Sequence, residues 1–164
     1  MLFRSIFAIQ HTLIPVQATR NDMMLTIHPA SYQASVTAYE ANGEIPKAIT
    51  EWAHLQARAE HVGDEPIAQE AARRQLVLHL RIARQLRNHI TIAETHLEQV
   101  DRLFDRLGDQ TLRDYELGLA NFLLGLHAKA RFRMERFVSE HPDHEASDLA
   151  RHVLVEIERI ESMP

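Results

Sequence analysis

Residues 111–142 read TLRDYELGLANFLLGLHAKARFRMERFVSEHP, and this stretch decides the fold. Two apolar stretches of helical period flank Gly125, a residue suited to a tight left-handed turn. Gly118 and Ala130 are small residues placed where two adjacent helices need to approach closely. Pro142 ends the second helix. The stretch therefore reads as a helical hairpin, and its design recurs toward the N-terminal end of the chain.

Gly43, Gly63 and Gly108 likewise fall between amphipathic stretches. Pro29, Pro46 and Pro66 fit the first turn of a helix, and Asp64 and Asp109 fit N-caps. Leu76, Leu80, Ala83 and Leu86 line one helical face. So do Ala93, Leu97, Val100, Phe104 and Leu107, and Val153, Leu154, Ile157 and Ile160. After residue 30 there is no sustained alternation of the strand type, and Asn42-Gly43 has helical flanks rather than strand flanks. Helices are predicted near 29–42, 45–61, 66–88, 90–107, 110–124, 126–140 and 145–162. Their short connections make neighbours antiparallel.

Taken as repeats of about 34 residues, these hairpins resemble the tetratricopeptide repeat family. Leu117, Gly118, Gly125, Ala130 and Pro142 carry the resemblance in the third unit, and Tyr32, Tyr39, Gly43, Ala48 and Trp52 carry it in the first. The middle unit, 66–109, is looser. Asn88 takes its left-handed turn, Ala93 its close contact, and its first helix is about one turn longer. Asp114 and Asn121 depart from the pattern, standing where the family has large or aromatic residues. Val36 is larger than usual, and Glu60 replaces a late proline.

The resemblance implies an all-α solenoid of three antiparallel helix pairs plus a capping helix over 145–162. In that segment Asp148, Arg151, Glu156, Glu158 and Glu161 leave an apolar stripe on one side. The resemblance also implies a concave groove lined by the first helix of each pair. In the third unit this means Leu112, Tyr115, Leu119, Phe122 and Leu123. In the first unit it means Ala30, Gln33, Thr37, Glu40 and Ala41. Such a groove takes a peptide or a partner helix, as in a scaffold, adaptor or assembly factor. Alternatively, the last helix, the N-terminal arm or a second copy of the chain fills it. Self-association through this surface satisfies both readings.

Composition agrees with a folded domain. The chain has 164 residues, 45% apolar and 25% charged, which suits one domain with a substantial core. The absence of cysteine excludes disulfides and thiolate chemistry. A formal charge of −5 gives no general attraction to nucleic acid, and no apolar run is long enough to span a membrane. Residues 1–28 read as an apolar arm before the repeat domain of 29–164. Within the arm, Arg4, the apolar stretch Ile6–Val16 and the Val16-Gln17-Ala18 tract have the form of a signal peptide, while Gln10, His11 and Thr12 interrupt it. The expected location is cytoplasmic, with export as the alternative.

The long middle helix places Arg74, Arg81 and Arg84 on one face, suited either to an acidic partner or to a solvated surface. Lysines occur only at Lys47 and Lys129, so the family's lysine-based carboxylate clamp is missing. Eleven histidines raise a metal-binding helical bundle as an alternative function. His96 and Asp101 have a suggestive spacing, but the partner ligands from other helices are missing, and no metal or other cofactor is assigned. No phosphate-binding, dinucleotide-binding, zinc-hydrolase or serine-nucleophile motif occurs. The expectation is a non-enzymatic interaction module, with a peptide-sensing regulatory domain as a further alternative.

Overall fold

The computed structural model describes residues 29–163. Residues 1–28, with the arm and signal-like readings made on them, lie outside the described residues, as do the side chains of Ala30 and Tyr32. The helices are α1 (Pro29–Ala41), α2 (Ile45–Val62), α3 (Glu65–Gln85), α4 (Ile90–Leu107), α5 (Arg113–Leu123), α6 (His127–Glu140) and α7 (Ser147–Glu161). No strand occurs among the described residues. The fold is all-α, built from helices packed in adjacent antiparallel pairs.

Local chemistry accounts for most boundaries. Pro46 and Pro66 lie in the first turns of α2 and α3, where a missing N–H costs nothing. Asp64 caps α3 by accepting from the Ile67 N–H. Gly43, Gly63, Gly108 and Gly125 all have left-handed φ between 67° and 75°. At Gly125 this conformation lets the Gly125 and Leu126 N–H groups return to the Phe122 and Asn121 carbonyls, closing the α5–α6 turn. Gly118 answers a different need. A Cβ there would lie 3.2 Å from the Arg133 Cβ, so the glycine permits the close approach of α5 and α6.

Two sequence expectations about boundaries are corrected. Asn88 does not take a left-handed turn, since no residue other than glycine has positive φ among the described residues. Instead, α3 ends at Gln85, and the Leu86 N–H closes it on the Ile82 and Ala83 carbonyls. Asp109 does not cap α5, which begins only at Arg113. Arg113 pins the intervening turn, its guanidinium donating to Asp101, Asp105 and Gln110 at 2.7–2.9 Å.

The interior is a stack of three apolar clusters. Val36, Ile45, Ala48, Trp52, Leu55, Ala71 and Leu78 join α1, α2 and α3. Leu76, Leu80, Ala83, Leu97, Val100, Phe104, Leu117 and Leu124 join α3, α4 and α5. Met134, Phe137, Val153 and Ile157 join α6 and α7, with Tyr115, Leu119 and Phe122 of α5 packed on them. The helices α3 and α5 each serve two clusters, which requires apolar residues on two faces. This explains why α3, at 21 residues, is the longest and has nine buried positions. Contacts also run between α3 and α5 and between α5 and α7, so alternate helices touch. On α7, Leu149 and Val155 stand exposed at 49% and 63%. Its outer face is therefore not purely polar, contrary to the sequence expectation.

Candidate functional site

The helix α5 has a 100° step per residue, and that step divides the groove residues implied by the sequence. Leu112 and Glu116 turn toward α3. Tyr115 and Phe122, about 60–80° round the helix from Leu112, turn toward the cluster formed by α6 and α7. Tyr115 meets Phe137 at 5.4 Å between ring centroids, and Phe122 meets His127 at 6.1 Å. Tyr115, Leu119, Phe122 and Leu123 are half-buried. The last two helices thus cover much of the surface on which the third unit was expected to bind.

What remains open is a cleft of about 370 Å³ between α3 and α5, closed below by the end of α4. Leu76, Leu80, Phe104, Leu107 and Leu112 form its apolar lining. Val77 stands at its edge, 59% exposed. Arg73 and Arg84 supply cations to the rim, and Asp109 and Glu116 supply carboxylates. An ion pair of 2.5 Å joins Arg84 Nη2 to Glu116 Oε2. The Arg84 Nε is enclosed without a hydrogen-bond partner among the described residues. The sequence reading included Arg84 and Leu112 but missed Val77 and the leucines. The available signal was the run Leu76-Val77-Leu78, three consecutive apolar residues on one helix, which carries Val77 off the buried face.

The other implied site residues lie elsewhere. Arg74 donates to Glu70 at 2.8 Å and faces Glu40 of α1 at 3.8 Å. Glu40 in turn accepts from the Trp52 indole N–H. The Thr37 hydroxyl is exposed and donates to the Gln33 carbonyl; the Gln33 residue is half-buried. Ala41 is exposed at the end of α1. Arg81 is exposed and makes no ion pair among the described residues. The three arginines therefore do not form one open cationic patch: two are already engaged by carboxylates.

Among the described residues, no three histidine, aspartate or glutamate side chains come together as a metal site would require. Two histidines do meet. The Nδ1 atoms of His79 on α3 and His96 on α4 lie 2.8 Å apart. Burial pushes His79 down to about 4, with the neighbouring His96 adding to the effect, and burial also lowers His96. A shared N–H···N bond requires at least one ring to be neutral. The unfolded chain takes up a proton near 6.5, while folded His79 resists it until about 4. Stability is therefore full above pH 6.5 and falls as the pH drops through this window. Thermal melts stepped between pH 6.5 and 4 are expected to show that fall, and His79→Gln is expected to flatten it. An unchanged profile in the variant would locate the acid sensitivity elsewhere. Asp101, which accepts from Arg113 and is held below the usual carboxylate range by it, acts at still lower pH.

No helix among the described residues is long and apolar enough to cross a membrane. Comparison with family models, with curated proteins and with solved structures returns no match to this chain.

Proposed function

We propose that the protein is an interaction module of tetratricopeptide type, which receives a peptide or partner helix on the face formed by α3 and α5. The observation that carries this reading is the open apolar cleft beside exposed Val77, rimmed by charges of both signs. Interface centres have this anatomy, with an apolar pocket for an anchoring side chain and a polar border that excludes water. The alternating contacts of α3 with α5 and of α5 with α7 support the repeat reading, because a solenoid places its first helices side by side. As a scaffold or adaptor, the domain needs no chemistry beyond this surface.

Val77 is the residue to substitute, because its exposure separates binding from folding. Val77→Glu is expected to leave the melting temperature within about 2 °C of wild type, since exposed substitutions change little. It is also expected to remove a partner that the wild-type protein captures reproducibly from its native extract. Equal capture by both proteins, or no capture by either, overturns the α3–α5 surface as the site. Sedimentation of the purified protein determines whether that partner is a second copy.

A further inference from the structure

Residues 1–28 precede α1 and join it at Pro29. Their composition is uneven. The stretch Ile6–Val16 contains no Asp, Glu, Lys or Arg, and it carries the large apolar side chains of Ile6, Phe7, Ile9, Leu13, Ile14 and Val16. The charged side chains of the arm, Arg4, Arg20 and Asp22, all flank that stretch. An uncharged apolar stretch of this kind gains by leaving water.

Two clefts on the helical body differ in what they can receive. The smaller, of about 230 Å³, lies between α4, α5 and α6 and is lined by Asn121. Its cations are already engaged, Lys129 by Glu94 and Arg133 by Asp114 and Asp101, and ion pairs cross it. The α3–α5 cleft of about 370 Å³ is instead lined by Leu76, Leu80, Phe104, Leu107 and Leu112. Two of its rim groups lack partners among the described residues. Asp109 makes no ion pair, and the Arg84 Nε is enclosed without a hydrogen bond.

The tether reaches this cleft. Arg74 of α3 and Glu40 of α1 bring their charged atoms within 3.8 Å. Pro29 stands about 16 Å along α1 from Glu40, and Val77 stands about 5 Å along α3 from Arg74. With the two side chains between them, the path from Pro29 to Val77 is under about 40 Å. The segment 17–28 spans about 40 Å when extended.

We propose that Ile6–Val16 docks in the α3–α5 cleft of its own chain, so that an external partner has to displace it. This rests on the α3–α5 face being the binding surface. Phe7, the aromatic residue of the stretch, is the anchoring side chain. A docked backbone carbonyl gives the Arg84 Nε its acceptor, and the flanking Arg4 meets Asp109. A tether of this length holds the segment at about millimolar effective concentration. Docking with a Kd of about 0.1 mM then keeps the cleft about nine-tenths occupied and weakens a competitor about tenfold.

The full chain has no cysteine, so Gln10→Cys places a single nitroxide label within the segment. In ¹⁵N-correlation spectra the greatest loss of intensity is expected at the amides of Val77, Leu80, Leu112 and Glu116. Adding Phe7→Asp to the labelled chain is expected to restore them. A fluorescent peptide of residues 4–18 is the second probe. It is expected to bind full-length Phe7→Asp protein at least about tenfold more tightly than wild type. Equal binding of the peptide to both proteins, or no broadening on α3 and α5, overturns the proposal. So does broadening that arises only when labelled chain is mixed with unlabelled ¹⁵N chain, which makes the occupant a second copy. An intact mass showing that the chain in its native cell begins beyond Ala18 overturns it too. Partner capture separates the two readings. If Val77→Glu abolishes capture while the label leaves α3 and α5 unbroadened, the interaction reading stands and the docked arm falls. If the label broadens α3 and α5 and even Phe7→Asp protein captures nothing, the docked arm stands and the interaction reading falls.

Discussion

Asp114→Ala is expected to destabilise the protein by about 3 kcal/mol, the lower end of the range for breaking a buried ion pair. Asp114 is 4% exposed. Its carboxylate accepts from Arg133 at 2.7 Å and from Arg136, both on α6. Truncation leaves two guanidinium groups facing a cavity. The cost stays at the low end because Arg136 reaches solvent and Arg133 keeps Asp101 at 3.5 Å. Asp114→Asn retains the shape but presents N–H groups to cations, so it too is destabilising, by about 2 kcal/mol. Urea denaturation with an unchanged slope measures the effect. In a double-mutant cycle with Arg133→Ala, the coupling is expected to exceed about 1 kcal/mol. A loss within about 0.5 kcal/mol for Asp114→Ala would show a carboxylate that water already satisfies.

The second large effect is expected from Trp52→Ala, at about 3–5 kcal/mol. Trp52 is 1% exposed at the centre of the cluster formed by α1, α2 and α3. Its removal leaves a cavity that the short α1 cannot close, and it strips Glu40 of an indole donor. Trp52→Phe retains most of the burial and loses the hydrogen bond, so about 1–2 kcal/mol is expected. The stack of clusters makes the loss local. Stability in such an array is a sum over units and their nearest-neighbour contacts. Hydrogen exchange is expected to show protection lost in α1 and α2 of the alanine variant while α6 and α7 keep theirs. Uniform loss across all the helices would mean that the clusters unfold as one unit.

The same stacking explains which features were legible beforehand. Turn glycines and helix-starting prolines act through their own backbone, so the positions of Gly43, Gly63, Gly108 and Gly125 mark chain reversals in any context. Apolar period acts within one helix, which is why the buried stripe Ala93, Leu97, Val100 and Phe104 was readable from spacing. The Asp109 and Asn88 expectations failed because each rested on propensity alone. At the first, the Arg113 guanidinium gathers carboxylates from the preceding helix and delays the next start. At the second, α3 has already ended at Gln85. Asp114 and Asn121 stood out in the sequence only as departures from a repeat pattern. Their consequences, a buried ion-pair network and a polar cleft, depend on α6 being beside them.

The sequence by itself determined the helix count over residues 29–163, the order of the helices and the all-α class, because these follow from backbone conformation and from period within short segments. Tertiary structure alone decided which face of α5 stays open. Leu112 and Tyr115 are three residues apart, yet one turns to a cleft and the other to Phe137. That choice depends on where α3 and α6 lie around α5. Their placement comes from the two-sided packing of α3 and α5 between successive clusters, a long-range property that no local run of residues encodes.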